Sequence, residues 1–299
     1  MNKMNFSLSR DISNQLKGIA VLLILICHLC GGGFSNRFFT PLGGIGVAIF
    51  LFLSGYGLNE SFKTKGLNDF WKNKLTRIVL PYVIWSIIVI PVYYFLYNSV
   101  EYAIRYWYIE YMFFWYTLFW ITKKYAPLNA EKILLAVAIF SFFIFSNIRA
   151  EQSMSFVAGV FVSNNKDSYR KYNSSQYFLV AIILLFIGIT SLGLKQLDFI
   201  RNFGEESVIV KICQLGIKLP IGLSIIIYYL LFHSILRFEK YLGFMGVMSL
   251  EIYLVQMPLY AYISSSVKNL IIVIVLLIPL VLILNFVAEK ISHKLATIQ

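Results

Sequence analysis

The feature that most restricts this chain is a series of apolar runs long enough to enter a bilayer, with basic residues gathered between them. Ten can be marked: Gln15–Cys30, Gly43–Leu58, Ile78–Tyr97, Tyr106–Ile121, Ile133–Ile148, Met154–Val162, Tyr177–Leu194, Ile217–Leu236, Phe244–Ile263 and Leu270–Ala288. A hydrocarbon core of about 30 Å asks for about 20 predominantly apolar residues per helix. The predicted fold is therefore all-α, a polytopic membrane bundle of about ten transmembrane helices in one domain over residues 1–299. The sixth run, MSFVAGVFV, is the shortest, and it either crosses or re-enters.

Composition excludes a soluble fold. Of 299 residues, 59% are hydrophobic and 13% charged, more apolar side chain than one soluble core hides. The abundant Phe and Tyr suit membrane interfaces, so membrane lipids are expected partners. A net charge of +12 in a soluble chain would suggest nucleic acid; here the cations lie between apolar runs and set orientation instead. Ten crossings with the N-terminus inside place 18 of the 26 Lys and Arg residues inside and 8 outside. Without the sixth crossing the split falls to 16 and 10. The positive-inside rule thus favours ten crossings of the plasma (cytoplasmic) membrane with both termini cytoplasmic. The polar start and the Gly31–Gly33 run lack a signal-peptide pattern, so the first run is expected to stay as the first span. Cys27-His28-Leu29-Cys30 has neither a second ligand cluster nor the haem-attachment order, and its thiols are expected to pack as small apolar groups.

Three groups of residues stand out chemically. Lys17 and His28 lie eleven residues apart in the first run, about 16 Å of α-helical rise and just over three turns, which puts them on nearly one face. An imidazole inside a membrane helix is a functional-site hypothesis by default, against the plainer reading of a snorkelling lysine and a histidine bonded to a neighbouring helix. Lys74 and Arg77, three residues apart, share a helix face after the long loop Asn59–Thr76; alone they read as cytoplasmic anchors. In GGIGVAIFLFLSGYG (residues 43–57) the glycines permit either close helix packing or an unwound turn.

In order and spacing these motifs resemble membrane acyltransferase family three, multi-span enzymes that O-acylate surface polysaccharides. LKGIAVLLILICH is similar to the family's first-helix signature, GGIGVAIFLFLSGYGL to its second, FWKNKLTRIVLPY to its basic third-helix start, and SLEIYLVQMPL (residues 249–259) to its late-helix motif. Four positions depart from the pattern. Lys17 and Lys74 stand where the family commonly has arginine, keeping the charge but losing the bidentate fork. Asn14 replaces an acid, and Gln256 stands where many members carry a second histidine.

The resemblance implies a membrane O-acetyltransferase with acyl-CoA, in the first place acetyl-CoA, as a donor substrate rather than a resident cofactor. Lys17, Lys74 and Arg77 would meet its phosphates, and the span from Lys17 to His28 is comparable to an extended pantetheine arm. A neutral His28 would be the catalytic base toward a hydroxyl of a carbohydrate or lipid-linked glycan acceptor. Ser54 or Tyr56 would help at the oxyanion, Glu110 would orient the acceptor or His28, and Tyr253 and Gln256 would line the substrate site. The competing reading is a proton-coupled transporter of a small molecule or glycan precursor, with His28 and Glu110 as relay groups.

Overall fold

The computed structural model describes residues 8–33, 37–98, 100, 106–235, 237–260 and 267–297. The ten apolar runs lie in helices over most of their described length, with breaks at Tyr106, at Phe145 and Ser146, and at Met154 and Met248; residue 236 of the eighth run and residues 261–263 of the ninth, and Lys3 and Arg105 of the charge count, fall outside the described residues. The helices are α1 (Arg10–Ile26), α2 (Thr40–Lys65), α3 (Phe70–Lys74), α4 (Leu80–Tyr97), α5 (Trp107–Tyr125), α6 (Ala130–Ile144), α7 (Ser155–Asn164), α8 (Ser174–Gln196), α9 (Val208–Phe232), α10 (Glu239–Val247), α11 (Ser249–Tyr260) and α12 (Val267–Thr297), with single turns between some of them.

Among the described residues, six helical stretches are long and apolar enough to cross a membrane: Arg10–Gly31, Thr40–Lys65, Phe70–Tyr97, Ser174–Gln196, Val208–Ile235 and Ile271–Leu295. The pair α10 and α11, bent by 71° at its break, makes a seventh if it is one span. The remaining runs fall short of the expected ten for identifiable reasons. Glu110, Lys123, Lys124 and a row of Tyr and Trp dilute the 19-residue α5. The 15 residues of α6 and 10 of α7 are shorter than a full crossing.

The bundle is centred on α2. Of its most apolar stretch 72% is buried, against 33% for α1 and 17% for α8. Its glycines serve close packing: a Cβ on Gly55 would strike the Phe156 carbonyl of α7, and one on Gly159 would strike the Phe52 carbonyl of α2. Running in the same direction, α7 stays beside α2 from Gln152, whose Nε2 donates to Gly44 O at 2.9 Å, to Ser163, whose Oγ accepts from Asn59 Nδ2 at 2.8 Å. Lys63 and Lys166 close this end on the Glu60 carboxylate, which holds the Lys166 ammonium above the usual lysine range. Helix α8 leans outward mainly on α9, Ser224 Oγ donating to Ala181 O at 2.9 Å. Apolar side chains such as Phe95, Phe140, Phe186, Ile278 and Phe286 face outward, as lipid-facing surfaces require.

Two helices change pitch where it matters. After Ile26 the chain widens into a π-helical stretch, Cys27–Gly33, and Leu75–Val79 does the same between α3 and α4. Pro81 explains the second: it has no N–H for the carbonyl four residues back, at Arg77, and wider i→i+5 bonding absorbs the gap. His28 sits in the first π stretch and Arg77 in the second. The one-face geometry expected from 3.6 residues per turn therefore does not carry to either residue.

Candidate functional site

His28 rides on the π stretch at the end of α1, which is tied to the start of α2: Cys27 Sγ donates to Thr40 O at 3.3 Å and packs against Gly43. From the opposite side α11 presents Gln256, buried, whose amide comes within side-chain hydrogen-bonding reach of the His28 imidazole. The two positions that the family pattern singled out thus meet in space, with an amide on one side in place of a second titratable ring.

What fixes Gln256 follows from Pro258. A proline inside α11 leaves the carbonyl four residues earlier, Leu254 O, without its helical donor. Tyr106 supplies one: its hydroxyl donates to Leu254 O at 3.0 Å and accepts from Trp85 Nε1 at 3.1 Å. Tyr93 donates to Pro258 O itself at 2.6 Å. Helix α11 is thereby clamped to α4 and to the start of α5. Tyr253 packs between the Tyr106 and Tyr108 rings, with centroids 5.9 and 5.5 Å away, and forms a buried wall one turn from Gln256.

The cations form a second centre. Lys17 on α1, Lys74 at the end of α3 and Arg77 in the π stretch lie close enough for their charges to repel, and Arg10 adds to the field at Lys17. Lys74 turns inward, its Nζ 4.8 Å from the Tyr116 ring centroid and 5.8 Å from that of Phe70, whereas Arg77 is exposed. Uncompensated like charges at partial burial favour an anionic guest.

Ser54 belongs to this second centre. Its hydroxyl accepts from Tyr116 at 3.1 Å, the same ring that Lys74 covers. Since Gly43 packs on Cys27 and Gly46 on Ala20 and Ile24, α1 and α2 run antiparallel, and Ser54 stands at the level of Lys17. Eleven residues of α2 from Gly43, it is about 16 Å along the bundle from the level of His28. Tyr56 is further removed, buried with its hydroxyl toward the Leu8 backbone and the charges of Glu60, Lys166 and Arg170. Neither hydroxyl is placed to serve an oxyanion beside His28. Glu110 is exposed and ion-paired with Arg149 at 2.7 Å, so its carboxylate is engaged away from the imidazole. Tyr116 and Tyr106 escaped the sequence reading because the aromatic run YWYIEYMFFWYTLFW (residues 106–120) gives no sign of which rings turn inward.

Fold and site together define a multi-pass helical membrane protein with a half-buried histidine toward one end of its first helix and a basic cluster around Lys17 toward the other. The acyltransferase domain of the acyltransferase 3 family matches residues 11–290, nearly the whole chain, and the chain belongs to that family. No curated protein and no solved structure matches it.

Proposed function

We propose that this membrane acyltransferase moves an acetyl group from acetyl-CoA, bound at the cytoplasmic side, to a hydroxyl of a cell-surface or lipid-linked glycan. The observation that carries this reading is that Lys17, which lies beside Lys74 and Arg77, precedes His28 by eleven residues, about 16 Å along the first helix. Phosphates held at the cations leave the pantetheine arm the length it needs to bring the thioester beside His28. There the attacking hydroxyl gives its proton to the imidazole as the C–O bond forms. The C–S bond then breaks, and the departing CoA thiolate recovers that proton. Gln256 holds the ring and offers an amide N–H to the developing oxyanion.

This reading keeps both termini cytoplasmic and ten crossings, and in its support the turn at Gln152 together with α7 lies along α2 from Gly44 to Asn59. The transporter reading asks for Glu110 beside His28, and the Arg149 ion pair gives it no support. Purified protein in proteoliposomes, supplied with isotopically labelled acetyl-CoA and a glycan extract, tests the assignment. The expected result is labelled O-acetyl ester on glycan, with the matching ester lost from cells lacking the protein. Movement of an unmodified solute with no acetyl transfer would overturn it.

A further inference from the structure

At the end of the bundle opposite Lys17, two buried side chains of opposite charge face the start of α2. Lys218, from α9, is 5% exposed, and Glu151, from the turn before α7, is 7% exposed. Gly44 makes room for both, since a Cβ there would lie 2.5 Å from Lys218 Cε and 2.9 Å from Glu151 Oε1. Among the described residues they form no ion pair with each other: Lys218 Nζ donates to Pro41 O at 3.4 Å, and Glu151 Oε1 accepts from Gln152 Nε2 at 3.4 Å. That amide is already held by Gly44 O at 2.9 Å. An ammonium with three donors and a carboxylate with about four acceptor positions are thus each left with one long bond, at a burial where charges are costly.

The pair lies beside the turn that carries His28. Gly43 packs on Cys27, and Cys27 Sγ donates to Thr40 O, the carbonyl next to the one that Lys218 bonds. Cys27 directly precedes His28 and is close enough to feel both charges. So is the Lys195–Glu205 ion pair, 3.5 Å long, whose glutamate is exposed in the loop after α8. The buried charges therefore have neighbours both in that exposed loop and in the π stretch.

We propose that Lys218 and Glu151 together bind a hydroxyl of the glycan acceptor, so that a second hydroxyl of the same sugar meets His28. The inference rests on the acceptor reading above and adds which residues hold the sugar. One cation and one anion against the same glycine carry no net charge, so they select neither an anionic nor a cationic guest. They select a group that accepts from an ammonium and donates to a carboxylate, and a sugar hydroxyl does both through one oxygen. Bonds of this kind are charge-assisted and are made here away from bulk water, which strengthens them. In the orientation proposed above this end faces outward, so acceptor and donor approach His28 from opposite ends of the bundle.

The test follows acetyl transfer from labelled acetyl-CoA to polysaccharide isolated from cells lacking the protein, over a range of polysaccharide concentrations, with CoA binding measured separately. The Lys218→Met/Glu151→Gln double variant removes both charges at similar volume, so that neither is left buried alone. Its polysaccharide KM is expected to rise at least about tenfold, the scale of a hydrogen bond to a charged group, while CoA binds as in wild-type protein. Gly44→Ala, whose methyl group meets only the flexible ends of Lys218 and Glu151, should raise the same KM without loss of CoA binding, and it decides the matter if the double variant fails to fold. An unchanged polysaccharide KM in Gly44→Ala, or lower turnover at unchanged KM in the double variant, would reduce the pair to a structural role and leave the acceptor reading intact. If wild-type protein transfers no acetyl group to the polysaccharide, the acceptor reading fails and this assignment fails with it.

Discussion

The His28 imidazole and the Gln256 amide face each other between the π-helical end of α1 and the proline-containing α11. Among the described residues neither Oε1 nor Nε2 of Gln256 makes a hydrogen bond, so its orientation answers to the nearby imidazole and to whatever binds beside it. If His28 is the base, His28→Ala should lower acyl transfer by at least about 10²-fold, within the usual range of general-base assistance. His28→Gln should be nearly as inactive, because it keeps a polar group but no proton acceptor. Gln256→Ala should cost about tenfold in turnover, and His233→Ala little. Acyl transfer in proteoliposomes, with CoA binding followed separately, checks all four; near-normal turnover by His28→Gln would end the base assignment.

Donor affinity should respond to the basic cluster rather than to the histidine. Arg77→Ala is expected to raise the acetyl-CoA requirement about tenfold or more, as loss of a charge-assisted hydrogen bond would. Lys74→Arg should retain affinity, since a guanidinium also packs over the Tyr116 ring. Unchanged donor affinity in Arg77→Ala would return Arg77 and Lys74 to an anchoring role.

The Pro258 gap predicts a stability effect at Tyr106. Tyr106→Phe leaves Leu254 O and Trp85 Nε1 without the partners seen here, each a buried group worth about 1–3 kcal/mol when unsatisfied. A lowered unfolding temperature in detergent is expected, together with reduced turnover, because Gln256 lies two residues beyond Leu254. Full stability in the variant would mean that Leu254 O finds another donor.

Orientation can be tested at the loop between α2 and α3. With Cys27, Cys30 and Cys213 replaced, a cysteine at Asn68 should resist an impermeant reagent on intact cells and react once the membrane is opened. Ready labelling from outside would invert the topology.

How much of this was written in the chain can be judged residue by residue. Helices follow from sequence because their bonds are local: an apolar run in lipid must satisfy its own backbone, and the described runs are helical over most of their length. His28 and the basic group Lys17, Lys74 and Arg77 were legible for a related reason, since a titratable or charged side chain in such a run is conspicuous by chemistry alone. Lateral assembly was not legible. Gly55 and Gly159 are equally consistent with an unwound turn until the opposing carbonyls of Phe156 and Phe52 are in place. Ser54, Tyr56 and Glu110 looked like neighbours of the imidazole, but which way a residue faces depends on the helix packed against it. Tyr116 and Lys74 draw Ser54 to the basic end, the Leu8 backbone holds Tyr56, and Arg149 holds Glu110 at the surface. The sequence by itself determined the helical, multi-pass character of the chain and its titratable groups through local hydrogen bonding and hydropathy. Only the tertiary structure decided which of those groups meet, because side-chain contacts between helices such as Tyr106 to Leu254, 148 residues apart, depend on packing that no local pattern encodes.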